Sequence, residues 1–225
     1  TPQLFLEDAN LESALPFLVN AGIQNGGQTC SASSRILVHR SRYNEVVDHM
    51  SQKYKDLIVR PAINDGALGP LISERQKSIV EDFISKGQRL NLVAQGEIDS
   101  SAPTKGHYVA PHLFADVPED HILAKDEIFG PVQVIMPFDT EEEAISIANG
   151  TDYGLVASIW TNDGARQMRL AKKLKSGQVF INNYGAGGGV ELPFGGRGFS
   201  GHGREKGFEA LYGFSTLKTV ASYHQ

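Results

Sequence analysis

Cysteine is almost missing from this chain, since Cys30 is the only one among 225 residues. A single thiol excludes an intramolecular disulfide and is typical of a reducing compartment, so we expect a cytoplasmic protein. None of the seven histidines forms an H-x-x-H or Cys/His cluster, so the sequence does not support a metal site. No apolar run approaches the roughly 18 residues needed to span a bilayer, so no membrane partner is expected.

A basic surface is lacking as well. Twenty-six acidic residues outnumber 21 basic ones, and the net charge is −5. Without a basic stripe to neutralise phosphates, a nucleic-acid partner is not expected.

The first residues contain neither an initiator Met nor the basic and apolar regions of a signal peptide. The remaining composition, with 40% apolar and 21% charged residues, is ordinary for a globular protein with a substantial core.

Glycine, by contrast, is abundant, and many of the 24 glycines lie in residues 182–207. This segment contains a formal G-x-G-x-x-G match at Gly196, Gly198 and Gly201. A dinucleotide fingerprint requires a strand directly before it and an acidic residue about 20 positions later, and both are missing here. We therefore reject the match. The sequence leaves open whether the segment is a surface loop or lies against a ligand.

Residues 131–182 show the clearest secondary-structure pattern. They contain three β-rich apolar runs, at 131–138, 155–160 and 178–182, separated by two helical patterns. Thr140 and Glu143 form a capping box for the first helix, and Asp163 begins the second. Short strands alternating with helices of this length predict an α/β fold with an open, mostly parallel sheet and helices on both faces.

The flanking sequence predicts further elements of the same kind. Upstream we expect a helix over 11–19, a strand over 35–39, a helix capped by Ser41 and a helix begun by a Ser73/Gln76 capping box. Downstream we expect a short helix over 204–212 and a half-exposed strand over 216–223.

The stretch "QNGGQTCSASSR" around Cys30 has two interpretations. Free cysteine is among the most buried residue types, which favours an inert thiol in a small gap. Gly26 and Gly27, however, leave space beside the sulfur, and the small residues 31–34 could start a helical turn. The N–H groups of such a turn would favour a thiolate and could stabilise an oxyanion.

The stretch "KDEIFGPVQV" also has two interpretations. The Glu127 carboxylate suits a pair of sugar hydroxyls, and Phe129 could stack on a flat heterocycle. A solvated loop carboxylate and a core phenylalanine are the alternative.

His39 or His202 could serve as a base for a cysteine hydrolase, although nothing in the sequence positions either one near Cys30.

Three motifs in order resemble the NAD(P)-dependent aldehyde dehydrogenase superfamily. They are "NGGQTCSASSR", "KDEIFGPV" and "LPFGGRGFSGHGRE", followed by the closing "STLKTV". The resemblance implies oxidation of an aldehyde to a carboxylic acid, with NAD or NADP as cofactor. In the family a cysteine at the position of Cys30 attacks the aldehyde, a hydride passes to the cofactor, and water hydrolyses the thioester.

The resemblance also implies roles for other residues. Glu127 would hold the nicotinamide ribose hydroxyls, and Phe129 would pack near the ring. The residues expected to line the substrate site are Gln28, Thr29, Asn182 and Phe194. Residues 182–194 supply glycines where several relatives have a bulky aromatic, so a roomier substrate mouth is expected.

Family members are about twice as long, with a cofactor-binding half before the cysteine. We therefore expect residues 1–213 to be a catalytic domain and residues 214–225 an oligomerisation strand and tail. The parent would be a homodimer or homotetramer, and this chain alone would be inactive because the family's general base lies upstream.

Overall fold

The computed structural model describes residues 1–185 and 189–224, in which nine strands and seven helices follow one another. The strands are β1 (Pro2–Phe5), β2 (Arg35–His39), β3 (Ile58–Val59), β4 (Asn91–Gln95), β5 (Glu97–Ile98), β6 (His112–Ala115), β7 (Val132–Phe138), β8 (Val156–Trp160) and β9 (Gln178–Ile181). The helices are α1 (Leu11–Ile23), α2 (Tyr43–Lys55), α3 (Glu74–Lys86), α4 (Ile122–Lys125), α5 (Glu141–Asn149), α6 (Gly164–Lys173) and α7 (Glu209–Gly213).

Seven strands form one sheet in the order β4-β6-β7-β2-β1-β8-β9. Every neighbouring pair is parallel except β4 and β6, which are antiparallel. Strands β3 and β5 form a separate parallel pair. The central strands are buried along their length, because their runs of branched apolar residues are covered on both faces. The predicted mostly parallel sheet is confirmed.

Helices cover both faces of this sheet, as predicted. On one face α1 and α2 pack over a core that includes Phe5, Ile36 and Trp160. On the other face α3, α5 and α6 contribute to a second core around Leu37 and Val134. None of the described helices is long and apolar enough to cross a membrane.

Side-chain caps fix most helix starts where the sequence predicts them. The Thr140 hydroxyl accepts from the Glu143 N–H at 3.2 Å, and the Asp163 carboxylate accepts from two N–H groups of α6. The predicted Ser41 cap is wrong. Ser41 lies in a 3₁₀ turn before α2, and its hydroxyl contacts His39 Nδ1 at 2.8 Å.

The C-terminal segment differs from the prediction. The expected helix is confined to α7, and residues 216–223 form no strand. Their alternating pattern is that of a strand, but no described strand lies beside them and their side chains are exposed. A strand needs a pairing partner to satisfy its backbone groups, so sequence alternation alone does not produce one.

Candidate active site

The main cleft lies at the amino ends of the central parallel strands. The first residues of β1, β2, β7 and β8 all line it, and these are Pro2, Arg35, Val132 and Val156. The cleft encloses about 700 Å³ when its space open to solvent is included. Open α/β sheets usually bind ligands beyond the carboxyl ends of their strands, whereas this cleft lies at the opposite edge.

Cys30 lies in this cleft with its side chain exposed. The Ala32 N–H donates to the Thr29 carbonyl at 2.9 Å, which closes a tight turn with Cys30 and Ser31 at its centre. This turn replaces the helical turn that the small residues predicted. The Ser33 N–H donates to the Ala21 carbonyl at 2.9 Å and ties the turn to α1. The interpretation of Cys30 as a buried thiol is wrong.

The backbone N–H of Cys30 has no acceptor among the described residues. A free donor on the same residue as a thiol can stabilise negative charge on a carbonyl oxygen while the sulfur attacks the carbon. The turn can therefore present a nucleophile and an electrophilic donor to one reacting group.

The cysteine motif and the "IFGP" motif touch through two glycines. Gly27 has a φ of +75°, and a Cβ at this position would lie 2.1 Å from the Gly130 carbonyl oxygen. Only a residue without a side chain allows both the left-handed backbone and this approach. The contact fixes the Cys30 turn beside the segment that carries Glu127 and Phe129.

Glu127 and Phe129 line the same cleft as Cys30. Glu127 is exposed, and Phe129 is 37% exposed, so it is not the core phenylalanine of the alternative interpretation. Phe129 has a φ of +55°, a strained conformation for a bulky residue. The Gln76 amide stabilises it by donating to the carbonyls of Phe129 at 3.0 Å and Ile128 at 3.2 Å.

Gln76 therefore has a different role from the one predicted. The Ser73 hydroxyl does cap α3 by accepting from the Gln76 N–H at 3.2 Å. The Gln76 side chain does not complete the capping box, because it reaches across to the Phe129 segment. A capping pattern cannot show that a long side chain has a second acceptor distant in sequence.

Part of the glycine-rich segment borders the cleft through Ser200. The Ser200 hydroxyl accepts from the Gly154 N–H at 3.1 Å, and the Arg197 N–H donates to the Gly154 carbonyl at 3.0 Å. The backbone of this part thus lies against the residues before β8. Residues 186–188, on which much of the expected roomier mouth depends, lie outside the described residues.

The other predicted site residues are divided between the cleft and its surroundings. Thr29 lines the cleft next to Cys30. Gln28 is outside the described lining, and its amide donates to the Asn25 carbonyl at 2.9 Å and accepts from the Ile72 N–H at 2.9 Å. Its side chain thereby connects the cysteine loop to the segment before α3.

Asn182 and Phe194 are outside the described lining of the cleft. The Asn182 amide makes two hydrogen bonds with the Thr161 backbone, at 3.0 and 2.9 Å, beyond the carboxyl end of β8. Phe194 exchanges two backbone hydrogen bonds of 2.7 Å with Glu205, and the ammonium of Lys206 lies 5.7 Å from its ring centre.

Sequence reasoning missed Tyr184. Its hydroxyl donates to the Ser31 carbonyl at 2.9 Å and lies 3.4 Å from the Ser31 hydroxyl. Burial raises the pKa of Tyr184 against the opposing effect of the Ser31 hydrogen bond, so the phenol is protonated at neutral pH. A tyrosine among glycines carries no sequence signal that it reaches a residue 153 positions away.

Arg35 was also missed, and it forms the floor of the cleft. Its buried guanidinium donates to the Ile147 carbonyl at 2.8 Å and the Ala148 carbonyl at 2.9 Å, near the end of α5. Burial lowers the pKa of Arg35 to about 10, which leaves it charged at neutral pH. The guanidinium balances part of the negative end of the α5 dipole.

No histidine belongs to the described lining of the cleft. His39 ends β2, and Arg35 begins it at the cleft, so roughly 13 Å of extended strand separates them. His202 is exposed in the glycine-rich segment. The geometry therefore does not favour a cysteine–histidine hydrolase. Among the described residues no group of three or more His, Cys, Asp or Glu side chains could hold a metal ion.

The model of the aldehyde dehydrogenase family matches residues 1–220, and the chain belongs to this family. Betaine aldehyde dehydrogenase of Agrobacterium fabrum is 35% identical over 98% of this chain, and the match covers 45% of that protein.

Solved structures agree with this assignment. A Burkholderia cenocepacia protein assigned to the aldehyde dehydrogenases superposes with a TM-score of 0.95 and 57% identity, over 98% of this chain and 47% of that one. The NAD⁺ complex of a Bacillus cereus aldehyde dehydrogenase gives a TM-score of 0.87 and 40% identity, over 94% and 43% of the two chains. The chain thus spans about half the length of these relatives.

Proposed function

We propose that these residues are the catalytic part of an aldehyde dehydrogenase that oxidises an aldehyde to a carboxylic acid with NAD or NADP. The observation that carries the proposal is one cleft that holds the exposed Cys30 thiol, the Glu127 carboxylate and the exposed Phe129 ring. A thiol, a sugar-binding carboxylate and a flat apolar surface are the groups that this chemistry needs in one place.

In this proposal the Cys30 thiolate attacks the aldehyde carbon and forms a carbon–sulfur bond, which gives a thiohemiacetal oxyanion. The Cys30 N–H, which has no acceptor in the described part of the chain, donates to that oxyanion. Loss of a hydride from the same carbon leaves a thioester on Cys30. Water then attacks the thioester, releases the carboxylic acid and returns the thiol. The bound cofactor supplies the acceptor for the hydride.

The residues on the cofactor side fit a nicotinamide nucleoside. Glu127 is exposed on the cleft with a carboxylate that can accept from two adjacent ribose hydroxyls. Phe129 presents its ring to the cleft on a backbone that Gln76 stabilises in a strained conformation. The Bacillus cereus relative was solved with NAD⁺, which supports a similar cofactor here.

The proposed substrate is a small-molecule aldehyde that reaches Cys30 beside Thr29. Gln28, Phe194 and Asn182 are proposed as substrate-side residues on the family resemblance alone, because none belongs to the described lining of the cleft and Asn182 bonds Thr161 beyond the carboxyl end of β8. Residues 1–213 are proposed to be the catalytic domain and residues 214–225 an oligomerisation tail of a homo-oligomeric parent.

The family's general base and cofactor-binding half would precede these residues. We therefore propose that the 225-residue chain alone has no dehydrogenase activity. Production of NADH or NADPH from any aldehyde by the purified chain would contradict this statement.

The decisive experiment replaces Cys30 in the whole protein that contains these residues. Cys30→Ala should lower kcat for aldehyde-dependent NAD(P)H formation by more than about a thousandfold, because the nucleophile is lost. His39→Ala should leave the rate unchanged, since His39 lies at the opposite edge of the sheet. Turnover that survives in Cys30→Ala would overturn the proposal. A cysteine–histidine hydrolase would be favoured instead if ester hydrolysis without NAD(P) were lost in both Cys30→Ala and His39→Ala.

A further inference from the structure

We infer that Tyr184 is a positioning residue for the nucleophile, whose phenol stabilises the Cys30 turn in the geometry needed to attack a carbonyl. The inference rests on the proposed role of Cys30 and adds a residue that none of the three sequence motifs contains. Its basis is the hydrogen bond of 2.9 Å from the Tyr184 hydroxyl to the carbonyl of Ser31, the residue after the nucleophile.

Three hydrogen bonds stabilise the Cys30 turn. The Ala32 N–H closes the turn internally on the Thr29 carbonyl, and the Ser33 N–H fixes its far end to α1. The Tyr184 hydroxyl is the one described donor to the middle of the turn. The first two bonds fix where the turn begins and ends. The third fixes the other polar group of the Ser31–Ala32 peptide, whose N–H makes the first bond.

This restraint matters because Cys30 has two tasks in one step. Its sulfur attacks the carbonyl carbon while its own N–H donates to the carbonyl oxygen, so both must face one substrate group. Rotation of the peptide planes on either side of Cys30 would move the N–H relative to the sulfur. The Ser31 carbonyl belongs to the Ser31–Ala32 peptide, whose N–H already closes the turn on Thr29. The Tyr184 bond fixes this peptide at its second polar group and so limits how far the two peptides that flank Cys30 can rotate.

Tyr184 is separate in sequence and in contacts from the residues proposed for the cofactor side. Glu127 and Phe129 belong to the described lining of the cleft, whereas Tyr184 does not. The phenol reaches the turn from the segment after β9, which is distant in sequence from both motifs that form the cleft. Two independent contacts thus position this part of the chain, the Gly27–Gly130 contact before the turn and the Tyr184 hydrogen bond within it.

The 225-residue chain itself can test this inference, because Cys30 is its only cysteine. With p-nitrophenyl acetate, the thiolate forms a bond to the acetyl carbon, the bond to the phenolic oxygen breaks, and p-nitrophenolate leaves with the electron pair. The thiol proton goes to the buffer, and an acetyl thioester remains on Cys30. Iodoacetamide alkylates the same sulfur by displacing iodide and needs no donor to an oxyanion.

We expect Tyr184→Phe to slow the p-nitrophenolate burst at least about fivefold while the alkylation rate changes less than about twofold. Tyr212→Phe, which removes a hydroxyl from an exposed tyrosine of α7, should change neither rate. Both rates are measured between pH 6 and 9, with the acetylated and alkylated masses confirmed by mass spectrometry. The Tm of each variant is measured alongside.

The outcomes separate the inference from the proposed function. Equal bursts in Tyr184→Phe and the unaltered chain would overturn the positioning role alone. Parallel loss of both rates, or a Tm drop that accounts for the slower burst, would also overturn it in favour of a structural role. Absence of any burst in the unaltered chain, with normal alkylation, would overturn Cys30 as an acyl-accepting nucleophile and the inference with it.

Discussion

At the scale of single residues, two glycines allow the two motifs that line the cleft to come into contact. Gly27 and Gly130 bring the cysteine motif and the Phe129 segment into backbone contact, and a Cβ at Gly27 would lie 2.1 Å from a backbone oxygen. The Gly130 backbone cannot shift to relieve this overlap as the end of a long side chain could. The two motifs are about 100 positions apart, yet this contact makes them neighbours.

We expect Gly27→Ala to destabilise the chain by about 2 kcal/mol, because alanine is strained at a φ of +75° and its methyl group overlaps the Gly130 carbonyl. Urea unfolding followed by circular dichroism measures the change. Gly69→Ala is the matched control, since a Cβ there would meet nothing within 4 Å. A Gly27→Ala variant as stable as the control would show that the contact between the motifs is not tight.

The sequence predicts individual residues well where the signal is local. Thr140 and Asp163 cap their helices as expected, because a cap depends only on the next three residues. Cys30, Glu127 and Phe129 were identified only through resemblance, since composition and spacing left each one ambiguous. Tyr184 and the Gln76 side chain could not be identified, because their acceptors lie far away in the sequence.

At the scale of elements, the carboxyl edge of the sheet is held by ion pairs. Glu141, at the start of α5, accepts from Arg166 at 2.9 Å and from Arg169 at 2.7 Å, and both arginines belong to α6. Arg166 also pairs with Glu7 and Asp8, which follow β1. These contacts join the ends of two helices to the end of a central strand.

This ion-pair cluster predicts a pH-dependent stability. Hydrogen bonds from Arg169, together with those from Arg166, hold the pKa of Glu141 below its ordinary value of 4.5. The folded state therefore favours the ionised form, and its stabilising contribution is present above pH 4.5 and lost as pH falls through the lowered pKa. Glu141→Gln should lower the urea midpoint at pH 7, and the difference from the unaltered chain should shrink towards pH 3.5.

The control for this experiment is Glu142→Gln, which removes the same charge from the same first turn of α5 at an exposed position. It should shift the midpoint less at pH 7 and show a weaker dependence on pH. If the two variants behave identically, the charge at the helix start matters and the pairing with α6 does not.

The sequence predicts most helices and strands correctly but fails for the C-terminal strand. Strands β7 and β8 were expected from their continuous apolar runs, because both faces of each strand are buried. Helices α5 and α6 were expected from the apolar face that each one buries, and the half-buried β9 from its β-rich sequence. The strand expected over 216–223 failed for the opposite reason. Its alternation is real, but whether a strand forms depends on a neighbour that the pattern does not contain.

At the scale of the whole molecule, the C-terminal segment continues an exposed apolar surface that already includes Phe199 and Phe208. Phe214, Leu217 and Val220 are each more than 80% exposed. Apolar side chains of this size are rarely left in water without a partner. The family expectation of pairing between subunits remains a prediction, and the exposure of this segment is consistent with it.

We expect removal of residues 214–225 to leave the urea midpoint unchanged, because the segment buries almost no surface in the single chain. It should also reduce concentration-dependent association in sedimentation velocity experiments. A full-length double variant, Leu217→Ser with Val220→Ser, separates the effect of apolar side chains from that of length. A lower midpoint after removal would show that the segment packs on the domain, and unchanged association would exclude it as an interface.

Because the cleft lies at the amino edge of the sheet, substitutions at the carboxyl edge should not disturb it. The cluster formed by Glu141, Arg166 and Asp8 occupies the carboxyl edge, whereas Cys30 and Glu127 lie across the sheet from it. Sites without shared contacts usually contribute additively to stability. Substitutions that strengthen the carboxyl edge should therefore raise thermal tolerance without altering the reactivity of the thiol. The two properties can then be engineered, or diverge among relatives, independently of each other.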